Sequence, residues 1–286
     1  MINKIKILKQ IFLTLIFLLM SCQVWAQTDF SEKISKNSKV TYFDLLKQIF
    51  PDLEKDGTAH KTEEIRISID SDEVQTYEQP MEILIDNSNW VNTEKGQRLI
   101  LNIKVRGDEQ NGFTWGELNL IALYSGDAKP QLLDVVDVSA DRENYYSGEM
   151  QVNPKLNLTR YEFSHLNAGE DFHYYAFFYA KDDEIKETLE GFPYLYTGTV
   201  CRAQMDETGK ILTVPNAKSG YHDVIFKIKV TNKRFAEDCQ TVKSISYKNF
   251  TLRMTWQKGK YRYADGGAEL KRLQREEKRL GFSKDE

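Results

Sequence analysis

Apolar residues return at every second position through most of this chain, and that period limits the fold more than any other feature. In "EIRISI" (residues 64–69), Ile65, Ile67 and Ile69 fall on one face, with Glu64, Arg66 and Ser68 on the other. Successive side chains of a strand point to opposite faces, so the pattern predicts a strand with one wet face. "MEILI" (81–85) predicts another, ended by the turn-rich "DNSN" at 86–89. Beyond it a loose rhythm of roughly 40 residues sets in, one long strand followed by a hairpin of two more. The first copy is "RLILNIKV" (98–105) with a hairpin over 117–138 turning near Gly126 and Asp127. The second is "LTRYEFSHL" (158–166) with a hairpin over 172–189 turning at Asp182 and Asp183. The third is "DVIFKIKV" (223–230) with a hairpin over 250–263 turning at Lys258 and Gly259. No copy carries the signature of a known propeller blade, and any series of antiparallel hairpins has the same rhythm. The predicted fold is therefore mainly β, with antiparallel hairpins in a sandwich or a propeller-like array. Long helical patterns do not alternate with these strands, which argues against a parallel α/β fold.

One strand differs from its neighbours. In "FHYYAFFYA" (172–180) both alternating faces are apolar or aromatic, which predicts a central strand covered on both sides. The alternative is that Tyr174, Tyr175 and Tyr179 line a groove for a sugar or peptide, since a tyrosine ring joins flat apolar area to a polar tip.

Helical spacing is confined to the two ends of the mature chain. In "TYFDLLKQIF", Tyr42, Leu45, Leu46 and Ile49 share a face, and Thr41 followed by Asp44 resembles a capping box. Pro51 stops this helix, so it is predicted over 41–50. "AELKRLQREEKRL" near the C-terminus is rich in helix formers, with Leu270, Leu273 and Leu280 on one side. It predicts an amphipathic helix within a 266–286 tail. Between the ends lies a β domain over 40–265, preceded by a polar, aperiodic stretch at 27–39 that is expected to be a flexible lead-in.

The first residues predict export. Lys4, Lys6 and Lys9 precede the apolar run "IFLTLIFLLM", which is about half the roughly 20 residues of a membrane span. "VWA" at 24–26 offers a cleavage site, making residues 1–26 a signal peptide. "LMSC" competes as a lipoprotein signal with Cys22 acylated, but Met20 fits poorly where a small residue is expected. No later apolar run reaches spanning length, so the mature chain is expected to be periplasmic or secreted, or lipid-anchored through Cys22. Loss of the leader removes three lysines and no acid, moving the formal charge from −4 to −7. With no basic stripe along the sequence, nucleic acid is not an expected partner. Two cysteines remain, Cys201 and Cys239, and an even pair in an oxidising compartment predicts one disulfide.

Chemistry-bearing motifs are sparse. In "FPDLEKDGTAHKTEEI", Asp52, Glu54, Asp56, Gly57 and Glu63 occupy places 1, 3, 5, 6 and 12 of a helix-loop-helix calcium loop. The match fails where a strand replaces the second helix, which leaves an acidic helix-to-strand turn as the competing assignment and calcium as the one candidate cofactor. His165 and His173 flank "NAGED" and are candidates for a cluster with Glu170 or Asp171. A nucleophile elbow, a phosphate-binding glycine loop and an H-E-x-x-H helix are all absent. "NLT" at Asn157 and "NFT" at Asn249 are formal glycosylation acceptors. The function expected is an exported, non-catalytic protein that binds a partner or an envelope or extracellular ligand. The alternative is a secreted hydrolase of glycans or peptides using scattered carboxylates as acid and base.

Overall fold

The structure is a computed structural model that describes residues 29–107, 116–139, 144–167, 170–188, 195–201 and 203–280. The expected signal peptide, Cys22 and the last six residues of the tail lie outside the described residues. At the N-terminal end, Thr41 caps helix α1 (Tyr42–Leu46). Its hydroxyl accepts from the Asp44 amide while the Asp44 carboxylate accepts from the Thr41 amide, the reciprocal box predicted from the sequence. The helix is shorter than the predicted 41–50 because the amides of Gln48 and Ile49 bond only three residues back, tightening the chain ahead of Pro51. Residues 29–39 do not behave as a simple lead-in. They turn back on α1 through Ile34 N–H to Val40 and Tyr42 N–H to Glu32, which buries Phe30 and Ile34 in the first core.

The first sheet holds, in spatial order, β1 (Thr58–Lys61), β4 (Glu78–Thr93), β5 (Gly96–Arg106), β6 (Glu117–Ser125), β7 (Leu132–Asp137), β2 (Ile65–Arg66) and β3 (Val74–Gln75). Two expectations fail here. "DNSN" does not end a strand: β4 runs through it, absorbing the irregularity as a bulge between Ile85 and Asn87. "EIRISI" yields strand only at Ile65 and Arg66; Ile67 is exposed and its amide turns to the Glu73 carbonyl. β2 pairs with β7 in parallel at Arg66 and Val136, whereas the other strand pairs of this sheet are antiparallel among the described residues. Strands β5 and β6 are greasy on both faces. Leu99, Leu101, Leu120 and Tyr124 meet α1 in the first core, while Ile100, Ile121 and Leu123 face the second sheet.

The second sheet runs β16 (Lys260–Tyr263), β15 (Val242–Gln257), β14 (His222–Phe235), β13 (Ala203–Pro215), β12 (Leu195–Val200), β10 (Glu170–Lys181), β9 (Leu156–Asn167) and β8 (Asn144–Asn153). β11 (Glu184–Glu187) also pairs with β10, beyond the end of β12. The residue after β11 curls the sheet back on itself. Thr188 donates its amide to the Phe177 carbonyl at 3.0 Å and accepts the Tyr261 amide at 2.8 Å, joining β10 to β16. The resulting barrel-like curl encloses a second core that includes Phe177, Met205, Phe226, Leu252 and Tyr261. Helix α2 (Ala268–Leu280), predicted from its apolar stripe, buries Leu273 against this core. Glu276 on α2 receives Asn232, Lys248 and Arg279. Those two cations and bonds hold its carboxyl down to about 2.

The two sheets pack face to face as a sandwich, through a third core built of Ile100, Ile121 and Leu123 against Tyr161, Ala176 and Phe178. β10 stands between two cores, with Ala176, Phe178 and Ala180 facing the first sheet and Phe177 and Tyr179 facing the curl. Its two greasy faces thus have the origin inferred from "FHYYAFFYA". The propeller-like alternative is not realised. The first copy of the repeat lies in one sheet while the second and third share the other, so the copies are not arranged as separate blades. A polar clamp crosses the sandwich: Asp134 on β7 receives Arg66 at 2.6 Å and the Ile185 amide at 2.7 Å. Cys201 and Cys239 form the predicted disulfide, with Cα atoms 5.1 Å apart, tying the β12–β13 turn to the β14–β15 turn. No helix among the described residues is long and apolar enough to cross a membrane.

Candidate functional site

The acidic ladder lies between α1 and β1, and two of its carboxylates, Asp52 and Asp56, are engaged with the chain's own amides. Asp52 accepts from the amides of His60 and Lys61, fixing the end of β1. Asp56 accepts the Thr58 hydroxyl at 2.7 Å and the Thr58 amide at 3.1 Å, and these bonds hold its carboxyl below the usual range. Gly57 has φ +89° and a Cβ there would press on Phe30, so the turn needs glycine. Glu54 and Glu63 are exposed, and Glu63 gives its amide to Ile49. Among the described residues, no three His, Cys, Asp or Glu side chains converge as a metal-binding group.

The strand register also separates residues that are neighbours in sequence. His173 lies opposite Ser164 and His165 opposite Phe172, so the register does not pair the two histidines; the side chains of His165 and Glu170 lie outside the described residues. His173 instead bridges Glu162 at 3.2 Å and Asp171 at 3.0 Å. The three tyrosines divide likewise. Tyr174 stacks on Phe163 on the sandwich side, whereas Tyr175 lies beneath Arg160 on the opposite face with Tyr179. They do not form one groove, yet Tyr179 borders one.

That groove opens where the end of β4 meets the β8–β9 hairpin. Two adjoining recesses of about 310 Å³ each share Asn153 and Leu156. One is floored by aromatic rings: Tyr221 stacks on Trp256 with centroids 4.8 Å apart, and Tyr179 meets Trp256 edge-on at 5.7 Å. The Tyr179 hydroxyl is committed to the Gly259 carbonyl, which fixes the platform to the β15–β16 turn. Asp183 secures the rim by receiving Lys95 at 2.8 Å and Arg98 at 2.7 Å, and those cations lower its carboxyl. Polar groups surround the rings: Lys155, Lys181 and Asp182 in this recess, and Asn92, Gln151 and Asn157 in the other.

Glu149 lines the second recess. Burial pushes its carboxyl up to about 7, against hydrogen bonds from Thr159, Asn89 and Tyr146 that favour the charged form. A larger hollow of about 1040 Å³ lies between residues 34–48 and the 126–131 turn. Two of its polar side chains bind the chain itself: Gln48 bonds to Pro130 and Leu132, and the Trp90 indole to Ile34. The smaller groove is the better candidate because aromatic rings line one of its recesses and side-chain amides the adjoining one. Sequence patterning missed it, because Asn92, Glu149, Tyr221 and Trp256 come from four separate segments. Only the aromatic density around Tyr179 was a local signal.

No protein-family model, curated protein or solved structure matches this chain.

Proposed function

We propose that the protein is an exported binding protein that takes a carbohydrate of the envelope or the extracellular space in this groove. The observation that carries the proposal is the Trp256–Tyr221 platform beside a polar wall. A sugar ring has an apolar face of C–H groups that stacks on such rings, and equatorial hydroxyls that bond to amides. Asn92, Gln151 and Asn157 supply those amides, and Lys155 and Lys181 favour sugars that carry carboxylate or phosphate. Titration with soluble cello-, xylo-, manno- and chito-oligosaccharides and with polygalacturonate, read by tryptophan fluorescence and calorimetry, tests this. At least one should bind, and Trp256→Ala should weaken it by at least about tenfold, the order of 1–3 kcal/mol for a lost hot-spot ring. Absence of binding across the panel, or binding indifferent to Trp256→Ala, refutes it.

A hydrolase is the second proposal, and Glu149 is its support. A carboxyl protonated near neutral pH beside a groove has the property needed of a general acid. Release of reducing ends from a bound oligosaccharide, abolished by Glu149→Gln while binding persists, would establish it. Binding without turnover leaves the non-catalytic function in place.

A further inference from the structure

The outer face of β13, β14 and β15 carries a charge arrangement that the protein itself does not balance. The inner residues of these strands (Met205, Phe226, Ile228, Leu252) fill the second core, so Lys210, Lys227 and Lys229 point outward. All three are exposed. The register sets Lys210 directly opposite Lys227, and Lys229 follows two residues later on the same strand. Directly opposed Cβ atoms in a sheet are about 5 Å apart, and like charges so placed repel.

The positions around them offer no relief. Thr208, Thr251, Asn249, Leu212 and Ile225 are neutral neighbours, Arg253 lies diagonal to Lys227 as a further cation, and Asp206 is the one carboxylate, diagonal to Lys229. The two carboxylates on this face are already taken, Asp206 by Lys233 and Asp223 by Arg253. Lys229 lies over the Tyr247 ring at 4.5 Å, which positions the cation without neutralising it. Among the described residues, no carboxylate forms an ion pair with Lys210, Lys227 or Lys229. The face is also flanked by uncovered apolar side chains: Leu212 and Val214 toward one end, Ile245 and Tyr247 toward the other, with Tyr247 59% exposed.

We infer that this face docks on an anionic lipid surface, with the three lysines among the head groups and the flanking apolar residues in the layer beneath. Charge complementarity calls for an anionic partner in a chain whose own net charge is negative. Lysine presents a point charge without the bidentate fork of arginine, which suits mobile head groups. The aliphatic flanks favour a bilayer over a soluble polyanion, because only a partner with apolar matter below its charge covers Leu212, Val214 and Ile245. Tyrosine is at home at such a boundary. No basic stripe shows along the sequence because Lys210 lies 17 and 19 positions from Lys227 and Lys229 and meets them only through the β13–β14 register.

Co-sedimentation of the mature chain with vesicles tests the inference. Vesicles of phosphatidylcholine containing about one-third phosphatidylglycerol should retain the protein at low salt and release it at high salt, while pure phosphatidylcholine should not retain it. Each lysine near an anionic surface is worth roughly fivefold in partitioning, so the Lys210→Gln, Lys227→Gln, Lys229→Gln triple variant should lose on the order of 100-fold. Leu212→Ser with Ile245→Ser should weaken retention further without altering its salt dependence. These substitutions are all on the surface, and an unchanged thermal midpoint verifies folding. Equal retention on the two vesicle types, an unaffected triple variant, or binding to immobilised heparin without binding to vesicles would each overturn it.

Discussion

Replacing Asp134 tests how the sandwich is held together. Its carboxylate lies on β7 with the side chain 10% exposed, beside an Arg66 side chain that is 11% exposed. Arg66 approaches it with Nη2 at 2.6 Å and Nε at 3.3 Å, while the Ile185 amide of the opposite sheet donates at 2.7 Å. Arg66 also donates to the Ile185 carbonyl at 3.0 Å, so one guanidinium and one carboxylate grip both polar groups of a single residue across the interface. Asp134→Ala strands a largely buried cation and orphans the Ile185 amide. Breaking a buried pair from one side costs about 3–5 kcal/mol, a large share of a typical domain stability of about 5–15 kcal/mol. The assay is urea unfolding at neutral pH, followed by circular dichroism and tryptophan fluorescence. Arg66→Met with Asp134→Leu removes both charges together and should recover the part of the loss due to the stranded cation, though not the part due to the orphaned Ile185 amide. A loss below about 1 kcal/mol for Asp134→Ala would refute the clamp. A double variant as unstable as the sum of the singles would refute the stranded-charge explanation.

Two further outcomes follow from groups described above. Glu149 has a folded-state value of about 7 against an unfolded value near 4.5, so the folded state favours its protonated form. The associated stability is full below about pH 4.5 and is lost as pH rises through about 7; thermal midpoints measured from pH 5 to 8 should fall, and Glu149→Gln should flatten that part of the profile. Reducing the Cys201–Cys239 bridge, which spans a sequence separation of 38, should cost about 4 kcal/mol by chain entropy. Urea midpoints with and without reductant measure that difference, and Cys201→Ser should reproduce it.

Much of the fold was legible locally. Capping by Thr41 and Asp44, the double-faced β10 and the turns at Asp182–Asp183 and Lys258–Gly259 depend on residues a few positions apart. Those four turn residues all adopt positive φ, as tight hairpin connections require. What stayed hidden depends on distant partners. "EIRISI" alternates as a strand should, but Arg66 is recruited by Asp134, and the chain leaves the sheet one residue later. "DNSN" has turn composition, yet neighbouring β5 holds it in register around a bulge. The acidic ladder matches a calcium loop in spacing, but Asp52 and Asp56 bond to the amides that shape the turn. The groove was invisible for the same reason. Its aromatic floor and its amide wall are brought together by the curl of the second sheet, which no window of sequence encodes.

The parallel pairing of β2 with β7 also bears on the order of assembly. Arg66 must wait for Asp134, 68 residues on, and for Ile185, 119 residues on. Closing loops of that length is entropically late, after hairpins such as β14–β15 have formed. Contacts made after the rate-limiting step slow unfolding without speeding folding. If the clamp closes after that step, Asp134→Ala should speed unfolding and leave the folding rate unchanged, which a denaturant series of folding and unfolding rates would read directly.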